Sequence, residues 1–329
     1  MEGFWFLVVV YICGNKNKST CQMDKPVKPD FDEFVKTCTP LLKIPDLEAR
    51  MRIRVQKIVD DLLDFEPSDN PVENLKQFLR KDENFLGVLL ALSNLSQEKL
   101  LRIISAKRFA EGDFGPEWGS GAIFRRIKGD DDFAEMIAKL FVEGSKNTLL
   151  SSNVADFYLA QLSLPKNWLN IIRDDTLIGN VVRRKLAGEY ADQKGAYIEK
   201  QIVLLLDEMK VRHAHGQVRF VGKEIDHAIP DLNDPCIMVM VSYLETTSST
   251  QTKTANEQQA IFQRVIGENV RYAGKKERIF VNFADGGGWL ARRSDLRKIH
   301  AGCHFCLNFK TLDQLEKIIR TFAPINCFV

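Results

Sequence analysis

The sequence predicts a mixed α/β protein, in which a helical N-terminal region precedes a mixed β-sheet flanked by helices. Three observations support this fold class. Apolar residues recur at spacings of three and four up to about residue 165, as in amphipathic helices. After Trp168 the chain contains short runs of alternating or continuous apolar residues, which are typical of strands. Apolar residues make up 45% of the chain and charged residues 27%, a composition that can build a packed core.

Residues 1–22 are expected to form an apolar tail outside the folded domains. Phe4–Cys13 is a continuous apolar run, but it is shorter than the roughly 20 residues that a membrane helix needs. A signal peptide would carry Lys or Arg before this run, where only Glu2 is charged. We therefore expect no membrane association and take Met23 as the functional first residue, with a secreted or membrane-anchored protein as the alternative.

Residues 23–165 are predicted to form a mainly helical domain. The first strong helix ends at Pro67–Pro71 and carries six apolar residues on one face: Leu47, Met51, Val55, Ile58, Val59 and Leu62. Further helices are predicted at VENLKQFLRK, NFLGVLLALSNL, SQEKLLRIISAKRF and DFAEMIAKLF, with Ser96 as an N-cap. The glycine-rich stretch EGDFGPEWGSGAIFRRIKGDDD breaks the periodicity, so we expect a loop or a short ordered excursion there.

Residues 166–329 are predicted to form the sheet-containing domain. A helix at KGAYIEKQIVLLLDEMK precedes the strands, and another at TANEQQAIFQRVIGENV crosses over between two of them. The predicted strands are QVRFVGKEIDHAI, CIMVMVSY, RIFVNF and CHFCLNF, and TLDQLEKIIRTF is the last helix.

Charge and cysteine content bear on nucleic-acid binding and on the cellular compartment of the protein. The formal net charge is only +2, so a nucleic-acid surface would have to come from local clusters of Lys and Arg. The seven scattered cysteines do not suggest a disulfide framework and favour a reducing compartment. We therefore expect a cytoplasmic protein.

Three carboxylates stand on predicted apolar faces. Glu199 precedes Ile202 and Leu206 on the same face of its helix, and Asp226 interrupts a strand, against strand propensity. Glu257 begins the apolar stripe of the crossover helix, with Lys253 just upstream. Each could be an ordinary solvated or ion-paired residue. Alternatively, the carboxylates could hold Mg²⁺, which takes oxygen ligands from one or two carboxylates plus substrate phosphates.

Taken together, these residues resemble the PD-(D/E)XK nuclease superfamily, and within it the DpnII-like type II restriction endonucleases. The resemblance covers roughly Leu177 to the C-terminus. It rests on the order of Gly195-x-x-x-Glu199, Asp226, Lys253 with Asn256-Glu257, and the turn DGGGW at 285–289. The chain departs from the family pattern at Met240 and Ser242, where the family has a glutamate and a lysine or similar group.

The resemblance implies a restriction-endonuclease-like sheet and Mg²⁺-dependent, sequence-specific hydrolysis of double-stranded DNA. Asp226 and Glu199 would hold the metal, Glu257 would replace the ligand missing at Met240, and Lys253 would act on the attacking water or the phosphate. It also implies a homodimer on a palindromic site and a cognate DNA methyltransferase in the same system.

DNA contacts are expected from two basic clusters of this half: Arg183, Arg184 and Lys185, and Arg292, Arg293, Arg297 and Lys298. The alternative function is a catalytically silent nuclease fold that binds DNA or a protein partner. A zinc site at His300, Cys303, His304 and Cys306 is disfavoured, because a single CxxC is a poor match to structural zinc spacing.

Overall fold

The computed structural model describes residues 25–152, 154–272 and 277–329. The expected tail 1–22 and Met23 lie outside these ranges. The chain forms two compact units. One is Lys43–Lys194, and the other joins Gly195–Val329 to the described part of Met1–Leu42. The division falls after Lys194 rather than near residue 165, and residues 25–42 belong with the C-terminal unit.

Eleven α-helices precede the first strand in the described chain. They are α1 (Phe31–Thr37), α2 (Pro45–Leu63), α3 (Pro71–Lys81), α4 (Glu83–Leu92), α5 (Gln97–Ala110), α6 (Ser120–Gly129), α7 (Asp131–Glu143), α8 (Thr148–Ser151), α9 (Asp156–Leu159), α10 (Trp168–Arg173) and α11 (Asp175–Glu208). The predicted helical character of this region is confirmed. The expected cap is also present, because the Ser96 hydroxyl accepts a hydrogen bond from the Lys99 amide at 3.2 Å.

The helical unit has an apolar core built from the faces that the sequence predicts. The six apolar residues of the predicted α2 stripe are all buried: Leu47, Met51, Val55, Ile58, Val59 and Leu62. Phe78 lies at the centre of an aromatic cluster, with ring centroids 5.3 Å from Phe65, 4.7 Å from Phe85 and 5.4 Å from Trp168. Burying such large rings supplies much of the apolar burial that stabilises a helical domain.

The C-terminal unit is a five-stranded mixed sheet flanked by helices. The elements are β1 (Ala214–Val218), β2 (Lys223–Ile229), β3 (Ile237–Tyr243), α12 (Gln251–Arg271), β4 (Ile279–Asp285), α13 (Gly287–Ala291), α14 (Arg293–Ala301), β5 (Phe305–Leu307) and α15 (Gln314–Phe322). The strands lie in the order β1-β2-β3-β4-β5. The first two pairings are antiparallel, and β3–β4 and β4–β5 are parallel. The predicted fold class is confirmed.

The segment predicted as one strand, QVRFVGKEIDHAI, is a hairpin of β1 and β2. Gly222 adopts a φ of 68° and its amide donates to the Val218 carbonyl at 2.8 Å, which closes the turn. Phe220 and Val221 sit in this turn and continue the apolar pattern of the strands, so the reversal is not visible in the sequence.

The helix α12 is the crossover between the parallel strands β3 and β4, as predicted. Its buried residues Ala255, Ile261 and Val265 join a core cluster with β2, β3 and β4. Phe31 and Phe34 of α1 belong to the same cluster, which explains why residues 25–42 group with this unit. No helix among the described residues combines the length and apolar character needed to cross a membrane.

Candidate functional site

Asp226 lies at a β-bulge between β1 and β2. Ala214 pairs with Ala228 and Gly216 with Ile225, so His215 alone faces both Asp226 and His227. The extra residue reverses the alternation of β2, and Ile225 and Ala228 therefore reach the same core cluster. Bulges of this kind redirect side chains, and here the residue redirected is a carboxylate.

The Asp226 carboxylate is held by the neighbouring strand. Its Oδ2 accepts a hydrogen bond from the Val241 amide of β3 at 2.7 Å. The β2–β3 register ends at the pair His227–Val239, so the carboxylate takes the place of a strand carbonyl just beyond it. On the other side, His215 Nδ1 lies 3.3 Å from the Asp226 carbonyl oxygen. Both contacts fix the position of this residue at the edge of the bulge.

Glu199 of α11 lies close enough to Asp226 for the charge of Asp226 to shift the pKa of Glu199. Burial raises the pKa of the Asp226 carboxyl, the Val241 hydrogen bond and His215 oppose this, and Glu224 adds to it. Partial burial also raises the pKa of the more exposed Glu199 carboxyl, and the charge of Asp226 raises it further. The structure thus brings together Asp226 and Glu199, with His215 as a neighbour of both.

Neither carboxylate has a lysine or arginine partner in the part of the chain that the structure describes. Two neighbouring carboxylates without a compensating cation are favourable ligands for a hard divalent cation, which would remove the repulsion between them. The donor set therefore fits Mg²⁺ or Mn²⁺ better than a soft metal, because the donors are oxygen atoms.

Glu257 and Lys253 are not among the residues whose charges act on Asp226 or Glu199. Glu257 Oε1 is 3.2 Å from Lys223 Nζ, in a pair with side chains about half exposed. Lys253 is exposed on the first turn of α12. Within residues 25–152, 154–272 and 277–329, no group of three or more His, Cys, Asp or Glu is arranged to hold a metal ion. The expected third ligand is thus not beside the other two in this structure.

Met240 and Ser242 make packing and hydrogen-bond contacts inside the C-terminal unit. Met240 packs, partly buried, against the core cluster that includes α12. The Ser242 hydroxyl accepts a hydrogen bond from the Trp289 indole at 3.1 Å. The departure from the family pattern at these two positions therefore coincides with packing contacts.

The DGGGW turn is held by hydrogen bonds from backbone amides to Asp285 and by close backbone packing at its glycines. Asp285 is fully buried and accepts from the amides of Thr39 at 2.6 Å, Gly286 at 2.8 Å and Phe309 at 3.0 Å. Burial raises the pKa of this carboxyl, and the three amides oppose the effect. Gly286 has a φ of 107°, and a Cβ there would overlap the Leu244 carbonyl. The glycines permit close packing of two chain segments.

The basic residues of the second predicted DNA-binding cluster are engaged within their own unit. Arg292 donates to Thr252 Oγ1 at 2.6 Å and pairs with Asp295 at 3.0 Å. Lys298 approaches the same carboxylate at 3.6 Å. Arg293 pairs with Asp32, and the Arg297 guanidinium lies 4.1 Å from the centroid of the Phe31 ring. Arg293 and Arg297 remain exposed.

The first cluster lies on α11 within the helical unit. Arg183 and Arg184 are exposed, and Arg183 donates to Asn180 at 3.1 Å. Lys185 donates to Asn84 Oδ1 at 2.5 Å, and burial lowers the pKa of its amine. Lys185 therefore contributes less to a surface charge than its two neighbours.

His215 was not among the predicted site residues. The sequence places it in VRHAHGQ beside a strand, and only the bulge brings it opposite Asp226. A bulge depends on register between two strands, so no local pattern could have signalled it.

Comparison of the chain with protein-family models, with curated proteins and with solved structures gave no match.

Proposed function

We propose that the C-terminal unit is a divalent-metal-dependent nuclease that hydrolyses phosphodiester bonds of double-stranded DNA, as a type II restriction endonuclease does. The observation that carries this proposal is the pair Asp226 and Glu199, two interacting carboxylates without a basic partner among the described residues. The order of a helix with Glu199, three antiparallel strands, a crossover helix and a parallel strand also supports it.

Asp226 and Glu199 would hold Mg²⁺, which supplies a bound water of lowered pKa and positive charge near the scissile phosphate. The chain's own contribution is to orient the carboxylate. The Val241 amide engages Asp226 Oδ2 and leaves Oδ1 without a partner among the described residues. One oxygen is thus fixed to the sheet while the other is available for a ligand.

The remaining parts of the proposal come from the resemblance. Glu257 would replace the missing ligand only after leaving Lys223, and Lys253 would approach the phosphate from the start of α12. Arg183, Arg184, Arg293 and Arg297 are exposed cations of the two predicted clusters and would bind DNA phosphates. A homodimer, a palindromic target and a partner methyltransferase complete the proposed system.

The test is cleavage of supercoiled and genomic DNA by the full chain with Mg²⁺, Mn²⁺ or EDTA. Asp226→Asn keeps an oxygen acceptor for Val241 and removes the charge, so we expect at least about a 100-fold loss of cleavage. Glu199→Gln should lose about 10-fold or more. Glu208→Gln, an exposed glutamate on the same helix, is the matched control and should cleave as the wild type does. A folded wild-type protein that cleaves nothing with either metal contradicts the proposal.

A second candidate function is DNA binding without cleavage. It is favoured by one specific observation, the pairing of Glu257 with Lys223 while Met240 fills the position of the family's glutamate. In the same experiment it predicts a DNA complex that forms equally with wild type and Asp226→Asn, and no cleavage by either.

A further inference from the structure

The glycine-rich stretch that the proposed nuclease site does not use begins with an ordered loop, residues 111–119, and continues as helix α6. The loop connects α5 to α6 in the helical unit, and Arg108 of α5 is hydrogen-bonded to it. Arg108 is 8% exposed, and it donates to Asp113 Oδ2 at 2.7 Å and to the Pro116 carbonyl at 3.0 Å. A buried arginine with two loop partners fixes the loop in one conformation.

Trp118 ties this loop to α6. Its ring lies between two guanidinium groups, with Arg108 Cζ 3.9 Å and Arg126 Cζ 4.0 Å from the ring centroid. The same ring contacts Phe133 edge to face, at 5.8 Å between centroids. Cation–π contacts of this kind are favourable when partly desolvated, so the loop and α6 form one surface.

This surface exposes aromatic rings. Phe114 is 75% exposed and Phe109 is 49% exposed, and their ring centroids are 5.4 Å apart. Leaving two neighbouring phenylalanines in water gives no stability to the unit, and such patches mark binding sites.

The acidic residues of the loop between α5 and α6 are each paired with a cation. The pairs are Lys107 with Glu111, Arg108 with Asp113, and Arg102 with Glu117. Arg125 and Lys128 of α6 are exposed and have no acidic partner in the described chain. Two cations without ion pairs therefore lie on the helix that Trp118 joins to the loop carrying Phe114.

We propose that the α5–α6 loop and α6 bind single-stranded DNA. Arg125 and Lys128 would bind phosphates and Phe114 would stack on a base, since unpaired bases stack on aromatic side chains while phosphates seek cations. Duplex DNA fits less well, because its base faces are already stacked. An acidic peptide would satisfy the cations and leave the rings unused. The choice of DNA over RNA rests on the proposed function of the C-terminal unit, whereas the surface itself does not.

The experiment measures binding of fluorescein-labelled oligodeoxythymidylate of 20 nucleotides to the full chain by anisotropy, in EDTA, over a range of salt concentrations. Arg125→Gln with Lys128→Gln should lower the slope of log K against log salt by about 1.4, since each phosphate contact contributes about 0.7 for single strands. Phe114→Ala should weaken binding about 5-fold or more and leave the slope unchanged.

Matched controls come from the same unit. Arg50→Gln with Arg52→Gln removes two exposed cations of α2, and Phe157→Ala removes a ring that is 73% exposed on α9. Both should bind as the wild type does. EDTA prevents metal-dependent cleavage, so a failed nuclease assay leaves this result unaffected.

Four outcomes with nucleic acid overturn the proposal: unchanged binding by both surface variants, an equal loss in the controls, tighter binding of the matched duplex, or tighter binding of oligouridylate than of the DNA strand. Loss of binding to phosphatidylserine vesicles in the surface variants, with no binding of the oligonucleotide by the wild type, identifies a membrane surface instead and overturns it as well.

Discussion

The ionised carboxylate of Asp226 is destabilised in the folded protein by its surroundings. Its carboxyl is mostly removed from water, and Glu224 lies near it without a lysine or arginine in the described chain to compensate. A charge in such a position lowers the free energy of unfolding, and proteins tolerate this where function requires it. Removing the charge of Asp226 should therefore stabilise the fold and at the same time abolish the proposed activity.

Asp226→Asn should therefore raise the free energy of unfolding at pH 7 by about 0.5–2 kcal/mol. The folded-state pKa of Asp226 is raised above the ordinary value of 3.8, so its destabilising effect is full above the folded pKa and vanishes below 3.8. Urea unfolding of both proteins at pH 7 and at pH 3.5 measures this. A variant that is less stable at pH 7 would contradict the argument, as would a gain that persists at pH 3.5.

Added Mg²⁺ should reverse the order of stability. A ligand that binds only the folded state adds about 1.4 kcal/mol at ten times its dissociation constant. We expect this gain for the wild type and not for Asp226→Asn, with urea unfolding in the presence and absence of the metal as the measurement. An equal gain in the two proteins would place the metal elsewhere.

The individual carboxylates could be predicted from the sequence, but their partners could not. Glu199 and Asp226 were visible because each interrupts an apolar pattern, and that pattern is local. The contact of Glu257 with Lys223 joins residues 34 positions apart, across a helix and a strand. The position of His215 depends on a shift in strand pairing. Contacts of this range are set by the fold as a whole.

Among the elements, the turn after β4 has the strictest steric requirement. Gly286 combines a φ of 107° with a backbone neighbour, the Leu244 carbonyl, where a Cβ would stand. Gly288 faces the Thr246 carbonyl in the same way. The close approach joins the turn to the segment that follows β3.

Gly286→Ala should cost about 3 kcal/mol or more, because the backbone strain adds to a clash that only backbone movement can relieve. Gly267→Ala is the matched control. Gly267 is exposed in α12 with open space around it, so alanine there should stabilise by about 0.5–1 kcal/mol. Chemical denaturation followed by circular dichroism checks both. Equal effects of the two substitutions would contradict the steric argument.

Element type was more predictable than element boundaries. The crossover helix and the apolar strand β3 follow directly from periodicity. The β1–β2 hairpin was missed because Phe220 and Val221 are apolar residues inside the turn. The last strand is only Phe305–Leu307, and Cys303 lies before it in a bend. Apolar turn residues and short strands both weaken the pattern on which prediction depends.

For the molecule as a whole, the consequential feature is that α1 belongs to the C-terminal unit. Phe31 and Phe34 join its core, and the Asn308 amide donates to Thr37 Oγ1 at 2.7 Å. The sequence places these residues next to the helical domain, and adjacency along the chain gave no sign of the distant contact. The division after Lys194 is equally invisible in the sequence, because it falls inside the single helix α11, which runs through it without a break.

Phe34→Ala should destabilise the C-terminal unit by about 3–5 kcal/mol, since the ring is fully buried. Hydrogen exchange should then increase in Gly195–Val329 and stay unchanged in Lys43–Lys194. Phe85→Ala, an equally buried ring of the helical unit, should produce the opposite distribution. Increased exchange throughout the chain in both variants would show that the two units unfold together.

The discontinuity of the C-terminal unit affects how the protein is made. Thr39 leaves the ribosome 246 residues before Asp285, the carboxylate that receives its amide. At about 5–20 residues per second, translation separates them by about 12–50 seconds. During that interval the helical unit is synthesised, while Phe31 and Phe34 of α1 remain without the strands that bury them. The nascent chain thus exposes an early apolar segment to chaperones. The C-terminal unit can complete its core only if α1 is still free to pack when the strands have been synthesised.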